Sequence, residues 1–493
     1  MRVRNSWRVF VLLCAVVDAC AQTGPIENAV QFLNSGDTAQ AEVEARKALH
    51  APATRPLALA MLGTIRLQQG NTAESVKLLE QALAMNPKLV GARTTLGNAY
   101  AFSGKGELAA KCFRQVLKLD PNNFDARFDL FKLESSRRNF QQSLDWAKPM
   151  MPQLLESDEA IVALAADYGA LGKKEELRNL VPHWQRLTDA SDEAALDFGS
   201  TLLLYGMKPE ATEVFEQEEA RVAARPRSGL ALKLGSAFLT LGLLDKAERN
   251  AQLSLSLSAD CLACYQTLAQ VAERQDNSEK ALAYLAAAKK LAPEDPDVLF
   301  EFGKVCLERN LVDDALPALS RAVELKPEND SYVYVLGSAN VARGHLPDAL
   351  RLFEQLLQKH PADAVLTYAI GAVYFLQGKY SEAETSLKQS LAVQPNQVAA
   401  SYYLALTYDA IGDDDRAIPI FRDLLKNNPK HVPSYVKLGG ILLRAVQVDN
   451  VLPPNPDRGK RRVAGSVEPH RTGALAAICR QALRTTAHAW DCS

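Results

Sequence analysis

The chain has 493 residues, of which 47% are hydrophobic and 23% charged, with a formal net charge of -2. That near-balance excludes the concentrated basic surface on which nucleic-acid binding depends, since the one basic run, 458–462, is short. Beyond the N-terminal segment, no apolar run approaches the length that crosses a bilayer as a helix.

The N-terminus stands apart from the rest of the chain. Arg2, Arg4 and Arg8 precede an apolar run at 9–17, and Ala19-Cys20-Ala21 then offers a small-residue cleavage site before Gln22. Residues 1–21 read as a secretory signal peptide, with a core too short to span a membrane. The expectation is therefore export, to a periplasm or beyond the cell. An alternative takes Val17-Asp18-Ala19-Cys20 as a bacterial lipoprotein box with Cys20 lipidated. Asp18 is unusual in such a box, and contact with an outer membrane is expected only if Cys20 carries lipid.

From residue 22 onward a 34-residue period governs the chain. Its most visible mark is an apolar residue followed by glycine: Leu62-Gly63, Leu96-Gly97, Phe198-Gly199, Leu234-Gly235, Phe302-Gly303, Leu336-Gly337, Ile370-Gly371 and Leu438-Gly439. A second glycine comes seven places later, as at Gly70, Gly104 and Gly378, then a small residue such as Ala109 or Ala383, and units close on prolines such as Pro121 and Pro395. In residues 364–397, Gly371 and Ala383 let two helices approach while Tyr374 and Leu387 fill the space around them. Gly378 suits a left-handed turn residue, and Pro395 stops the second helix.

This pattern resembles the tetratricopeptide repeat family, in which each unit is a helix-turn-helix of that length. The resemblance covers 22–446. It implies an all-α fold, a right-handed α-α superhelical solenoid of about twelve units in which neighbours stabilise neighbours. The register gives a first block at 22–227, with units starting at 22, 56, 90, 124, 158 and 192. A slip of two residues near Pro226-Arg227 reads either as a hinge or as a tolerated insertion. The second block, 228–446, has units starting at 228, 262, 296, 330, 364 and 398, with a partial thirteenth at 432. Within the first block, 124–191 is degenerate: Phe131 takes a glycine slot, and Pro149, Pro152 and Pro182 fall inside expected second helices, which they should kink or shorten. In the thirteenth unit Val446 occupies the turn-glycine slot, and no second helix is legible. The tail, 447–493, reads as disordered, as folded back over the last apolar face, or as a disrupted reading frame.

Catalytic and metal-binding constellations are not found, and no enzyme, cofactor or metal is expected. Cys261 and Cys264 form the sole C-x-x-C, with Tyr265 where a haem-attachment motif needs histidine. It reads as an incidental pair or as a local disulfide; zinc would need further ligands that Cys306 alone does not supply. Asp313-Asp314 and Asp413-Asp414-Asp415 sit at second-helix starts, where carboxylates cap free N–H groups.

The family resemblance places the first helix of each unit on the inner wall, with its second, fifth, ninth and twelfth places facing inward. At the fifth place, consecutive units carry Phe300, Tyr334, Tyr368 and Tyr402, and Phe375 adds a ring at a twelfth place. These rings read either as a ligand-binding aromatic ladder or as packing of the inter-helix seam. The family's clamp for a chain-terminal carboxylate is not matched, since Thr94 stands where lysine is needed beside Asn98, with Asp129 and Lys132 next door. Lys132 and Lys304, with Asp297 and Glu301, are charges that tune specificity or stand solvated. The expected function is a non-enzymatic scaffold that binds a protein or extended peptide, bacterial in its signal style. Alternatives are the regulatory or sensor array of a larger enzyme or transport system, or a lipidated outer-membrane assembly factor.

Overall fold

The computed structural model describes residues 24–451, with side chains to residue 444. The expected signal segment 1–21, Cys20 and the tail beyond 451 lie outside the described residues. Among those described, every regular element is helical, and successive helices pack pairwise through short turns. This is the all-α solenoid of paired helices that the period implies.

The turns keep the period where the sequence hides it. Nine glycines, from Gly36 to Gly412, take positive φ, and Arg138, Asp276 and Asn310 take the same left-handed conformation at φ 62°, 55° and 60°. Laid in order, these residues recur every 34 positions, with a single step of 36 between Gly206 and Gly242. Each one ends the first helix of a unit. The twelve-unit register is therefore present throughout, including the degenerate stretch.

The seam inside each unit is set by glycine facing bulk. A Cβ added to Gly97 would lie 2.5 Å from Phe113, and one added to Gly371 would lie 2.8 Å from Leu387. Gly63 meets Leu79, Gly199 meets Phe215, Gly303 meets Leu319 and Gly337 meets Phe353 in the same way. In every case the large partner stands 16 residues further on and is 0–1% exposed. Helix pairs this close exclude any side chain at the glycine.

The chain divides into two compact units between Pro226 and Arg227, where the register slips. In unit 1 the second helices of two repeats are broken. One runs Phe140–Ala147, a 3-10 turn Lys148–Met150 and Met151–Leu154; the other is Lys174–Arg178 followed by Val181–Arg186. Pro149, Pro152 and Pro182 sit at the starts of the later pieces, where a missing N–H and a fixed φ are tolerated. Phe131, in its glycine slot, is fully buried, and the place 16 residues on holds Ala147, also fully buried. Bulk has changed sides across this seam.

Unit 2 is regular from Ser228–Leu241 through Asp414–Asn427. Asp413 caps the last second helix, its carboxylate accepting from Arg416 N–H at 3.1 Å. Asp313 instead pairs with Arg343 at 2.7 Å. Among the described residues the thirteenth unit has one helix, Val432–Val451, which continues through position 446 where a turn is expected.

Candidate functional site

Cys261 and Cys264 are joined by a disulfide, which selects one of the readings left open by their spacing. Cys261 caps the helix Leu262–Arg274, its sulfur accepting from Cys264 N–H at 3.2 Å. The pair thus clasps the first turn of a first helix in unit 2. Among the described residues no group of three or more His, Cys, Asp or Glu is placed to hold a metal ion.

The five aromatic positions are brought onto successive first helices of unit 2, but each ring is engaged with its neighbours. Phe300 is half-buried and stacks on Tyr332 at 4.4 Å between centroids. Tyr334 is 6% exposed and lies against Phe353, the residue that covers Gly337. Tyr368 is 5% exposed and meets Tyr403 edge-on at 5.8 Å. Tyr402 is half-buried against Phe421 and His431, and Phe375 is half-buried against Tyr380 and Tyr403. Tyr334 and Tyr368 therefore present little ring face to a ligand, and they hold neighbouring helices together. Phe300, Tyr402 and Phe375 keep part of their surface.

A polar cleft of about 150 Å³ opens between the first helices Leu262–Arg274 and Pro296–Glu308. Gln266, Gln270, Glu273, Asp297 and Glu301 line it, above Ala269, Leu285 and Val298. Burial pushes the Glu273 carboxyl up to about 7, against the pull of Lys304. Burial alone would lower the Lys304 ammonium, but Glu301 at 2.5 Å and Glu273 at 3.5 Å hold it up at about 12. Burial also raises Glu308. Asp297 is held low by the hydrogen bond from the Tyr332 hydroxyl and by Lys326. Lys304 and Glu301 are thus joined with Glu273 of the preceding repeat in one charged group, and Asp297 pairs separately with Tyr332 and Lys326, so none of them is an isolated surface charge. Gln270 lines the cleft beside them from the preceding repeat. Glu273 stands 31 residues before Lys304, and Gln270 the same distance before Glu301, a spacing that marks facing positions on two adjacent first helices.

Unit 1 carries a second charged stretch. Lys132 pairs with Glu159 at 2.5 Å and lies over the Phe128 ring. Asp129 is pushed up to about 7 by burial, with Lys132 and a hydrogen bond from Asn98 opposing. Asn98 is consequently committed to an aspartate, which is incompatible with clamping a ligand carboxylate.

Comparison with known proteins agrees with this geometry. Three models described as tetratricopeptide repeat match the chain: one at 27–90, 267–330 and 368–432, a second at 332–396 and a third at 66–127. A curated relative, protein O-mannosyl-transferase TMTC1 of Homo sapiens, is 29% identical over 163 residues, which is 32% of this chain and 18% of that protein. The matched stretch thus spans under a fifth of that relative's length. Among solved structures, a tetratricopeptide repeat protein from Parabacteroides merdae ATCC 43184 is 17% identical, covering 51% of this chain and 98% of that one at a TM-score of 0.42. YrrB, described as a TPR protein with an unusual peptide-binding site, is 20% identical, covering 37% and 94% at a TM-score of 0.35. No helix among the described residues is long and apolar enough to cross a membrane. With family matches spread over more than half its length, the chain belongs to the tetratricopeptide repeat family.

Proposed function

We propose that this protein is an exported, non-enzymatic scaffold that binds an extended protein segment along the inner wall of unit 2. The observation that carries the reading is the cleft at Gln266, Gln270, Glu273, Asp297 and Glu301. An extended segment offers backbone N–H groups and side-chain donors to those carboxylates and amides, and apolar side chains to Ala269, Leu285 and Val298 at the floor of the cleft. Affinity comes from a few such anchors in a preformed wall rather than from the whole solenoid surface. The Cys261–Cys264 disulfide supports export, since disulfides persist in oxidising compartments.

Site-specific photo-crosslinking tests the reading. A photoreactive residue at Gln270, exposed on the inner wall, should trap a protein partner in envelope extract, whereas one at Leu291, exposed at the end of a second helix, should not. Adducts formed equally from both positions, or from Leu291 alone, would rule the wall out.

A second reading treats the array as the regulatory part of a transferase whose catalytic residues lie elsewhere. Its support is the identity over 163 residues to a protein named a mannosyl-transferase. It requires the partner trapped at Gln270 to be an enzyme or its acceptor.

A further inference from the structure

Cys261 and Cys264 are unequal partners in their disulfide. Cys261 stands before the first turn of Leu262–Arg274 and is partly exposed, whereas Cys264 is 0% exposed. The N–H groups that open a helix favour negative charge beside them, and that of Cys264 already points at the Cys261 sulfur from 3.2 Å. A thiolate released at Cys261 therefore finds its stabilising partner in place. On the buried side, the Ser254 hydroxyl of the preceding helix, Leu244–Leu257, lies 3.0 Å from the Cys264 sulfur. Ser254 is itself 0% exposed and donates to the Ser228 carbonyl at 2.8 Å, which leaves an oxygen lone pair for the sulfur. A disulfide sulfur has no hydrogen to give that oxygen, and a Cys264 thiol has one. Both products of reduction thus have a hydrogen-bond partner waiting.

We propose that Cys261–Cys264 is a thiol–disulfide exchange site that takes two electrons from a dithiol, with Cys261 the sulfur attacked and Cys264 the sulfur released. The first thiolate of the dithiol attacks Cys261 Sγ from the exposed side, a mixed disulfide forms, and the Cys261–Cys264 bond breaks. The electron pair of that bond stays on Cys264 Sγ, which takes up a proton and donates a hydrogen bond to Ser254 Oγ. The second thiolate then attacks the dithiol's own sulfur in the mixed disulfide, and Cys261 leaves as a thiolate beside the helix N–H groups. The dithiol ends as a disulfide, oxidised by two electrons, and the pair ends reduced by two. Stabilising the reduced form is what makes a disulfide labile rather than a permanent staple. The other cysteines of the solenoid are no rivals: Cys112 and Cys306 are buried free thiols, and burial pushes Cys306 up to about 11. The site rests on the pair alone, so it stands or falls apart from what the inner wall binds.

The probe is dithiothreitol, a small dithiol, added to the full oxidised chain without denaturant, with free thiols trapped by iodoacetamide and located by peptide mass spectrometry. The pair should open while the chain stays folded, and Cys261 should be labelled at least about tenfold faster than Cys264, Cys112 or Cys306, because only a thiolate within reach reacts. The labelling rate of Cys261 should rise to its plateau with a midpoint below the ordinary thiol value of about 8.5. Cys264→Ser removes the sulfur that is released, so oxidised glutathione should leave a lasting adduct on Cys261 of that variant. Ser254→Ala removes the acceptor of the Cys264 thiol, so the ratio of reduced to oxidised dithiothreitol that half-reduces the pair should rise about threefold, the worth of a modest hydrogen bond. Reduction only at urea concentrations that unfold the chain would overturn the proposal and leave an inert staple. Labelling of Cys264 as fast as Cys261, a Cys261 midpoint at or above the ordinary thiol value, or an unshifted ratio in Ser254→Ala would overturn it as well.

Discussion

Unit 1 buries carboxylates and unit 2 buries neutral polar groups. In unit 1, Glu134, Asp167 and Glu218 are 0–1% exposed, whereas the buried polar residues of unit 2, such as Asn340, Thr367, Ser390 and Thr407, carry no charge. The neutral groups satisfy themselves locally: Thr407 donates to the Tyr403 carbonyl at 2.8 Å and Asn340 to that of Leu336 at 2.9 Å. The carboxylates are less well served. Glu134 has Arg114, Arg137 and Asn139 around it, but one oxygen of Asp167 and one of Glu218 have no hydrogen-bond partner. Broken second helices occur in the same unit. One period thus runs through two cores of different quality, and a buried charge without full pairing lowers stability. Local stability should follow.

The largest expected effects come from the seams. Leu387→Ala in unit 2 removes a fully buried side chain over Gly371 and should cost about 2–5 kcal/mol in urea denaturation. In unit 1, Phe131→Gly should cost about 3–5 kcal/mol alone. Combined with Ala147→Phe, which returns the bulk to its usual side, much of that loss should be recovered, giving a coupling of about 1–3 kcal/mol. Additive losses would show that Phe131 and Ala147 do not share one seam.

How much of this is legible in the sequence depends on what a period reports. Gly371 and Leu387 stand out because small and large residues recur at the same places, so the fold and the glycine turn positions were legible. Arg138 was not, since nothing in its side chain announces a left-handed residue, and Asp276 and Asn310, though of types that tolerate the conformation, are placed there only by the register. The swap at Phe131 and Ala147 looks like degeneracy when each slot is taken alone, whereas packing depends on the sum across the seam. The aromatic positions were located correctly on the first helices. Which rings stay exposed was not legible, because Tyr334 and Tyr368 are covered by neighbours such as Phe353 and Tyr403. The cleft was half visible, in Lys304, Asp297 and Glu301, but Glu273 reaches it from the preceding unit.

A smaller effect concerns pH. Burial raises Asp129 to about 7 and also raises Asp167 and Glu218, so folded unit 1 holds protons that the unfolded chain releases. The stability these groups supply is full below the ordinary carboxylate range and is lost as pH rises through the raised values. Unit 2 has the same behaviour only at Glu273 and Glu308, while Glu248, Asp330 and Glu384 are lowered by their partners, and the stability they supply is lost as pH falls from the ordinary carboxylate range through the lowered values. Asp129 and Glu273 offset each other between the two units, so the raised Asp167 and Glu218 should make acidification from about 7.5 to about 5 stabilise unit 1 relative to unit 2. Asp167→Asn with Glu218→Gln should flatten that difference. An unchanged pH profile in the double variant would sever the link to the buried carboxylates.

Smaller still is the turn at Arg138. A non-glycine side chain in this conformation costs about 1–2 kcal/mol, less for Asn or Asp, which tolerate it. Arg138→Gly should raise the stability of unit 1 by about 1 kcal/mol, and Asn310→Gly should raise that of unit 2 by less. Equal gains, read from thermal melts, would mean that backbone strain does not distinguish the two turns.

Hydrogen exchange at neutral pH, resolved by residue, tests most directly whether the two cores differ in local stability. Amides across 140–186, in the broken second helices and around Asp167, should exchange well before those of the regular helices at 228–427. Protection that is uniform over both stretches, or greater in 140–186, would contradict the account.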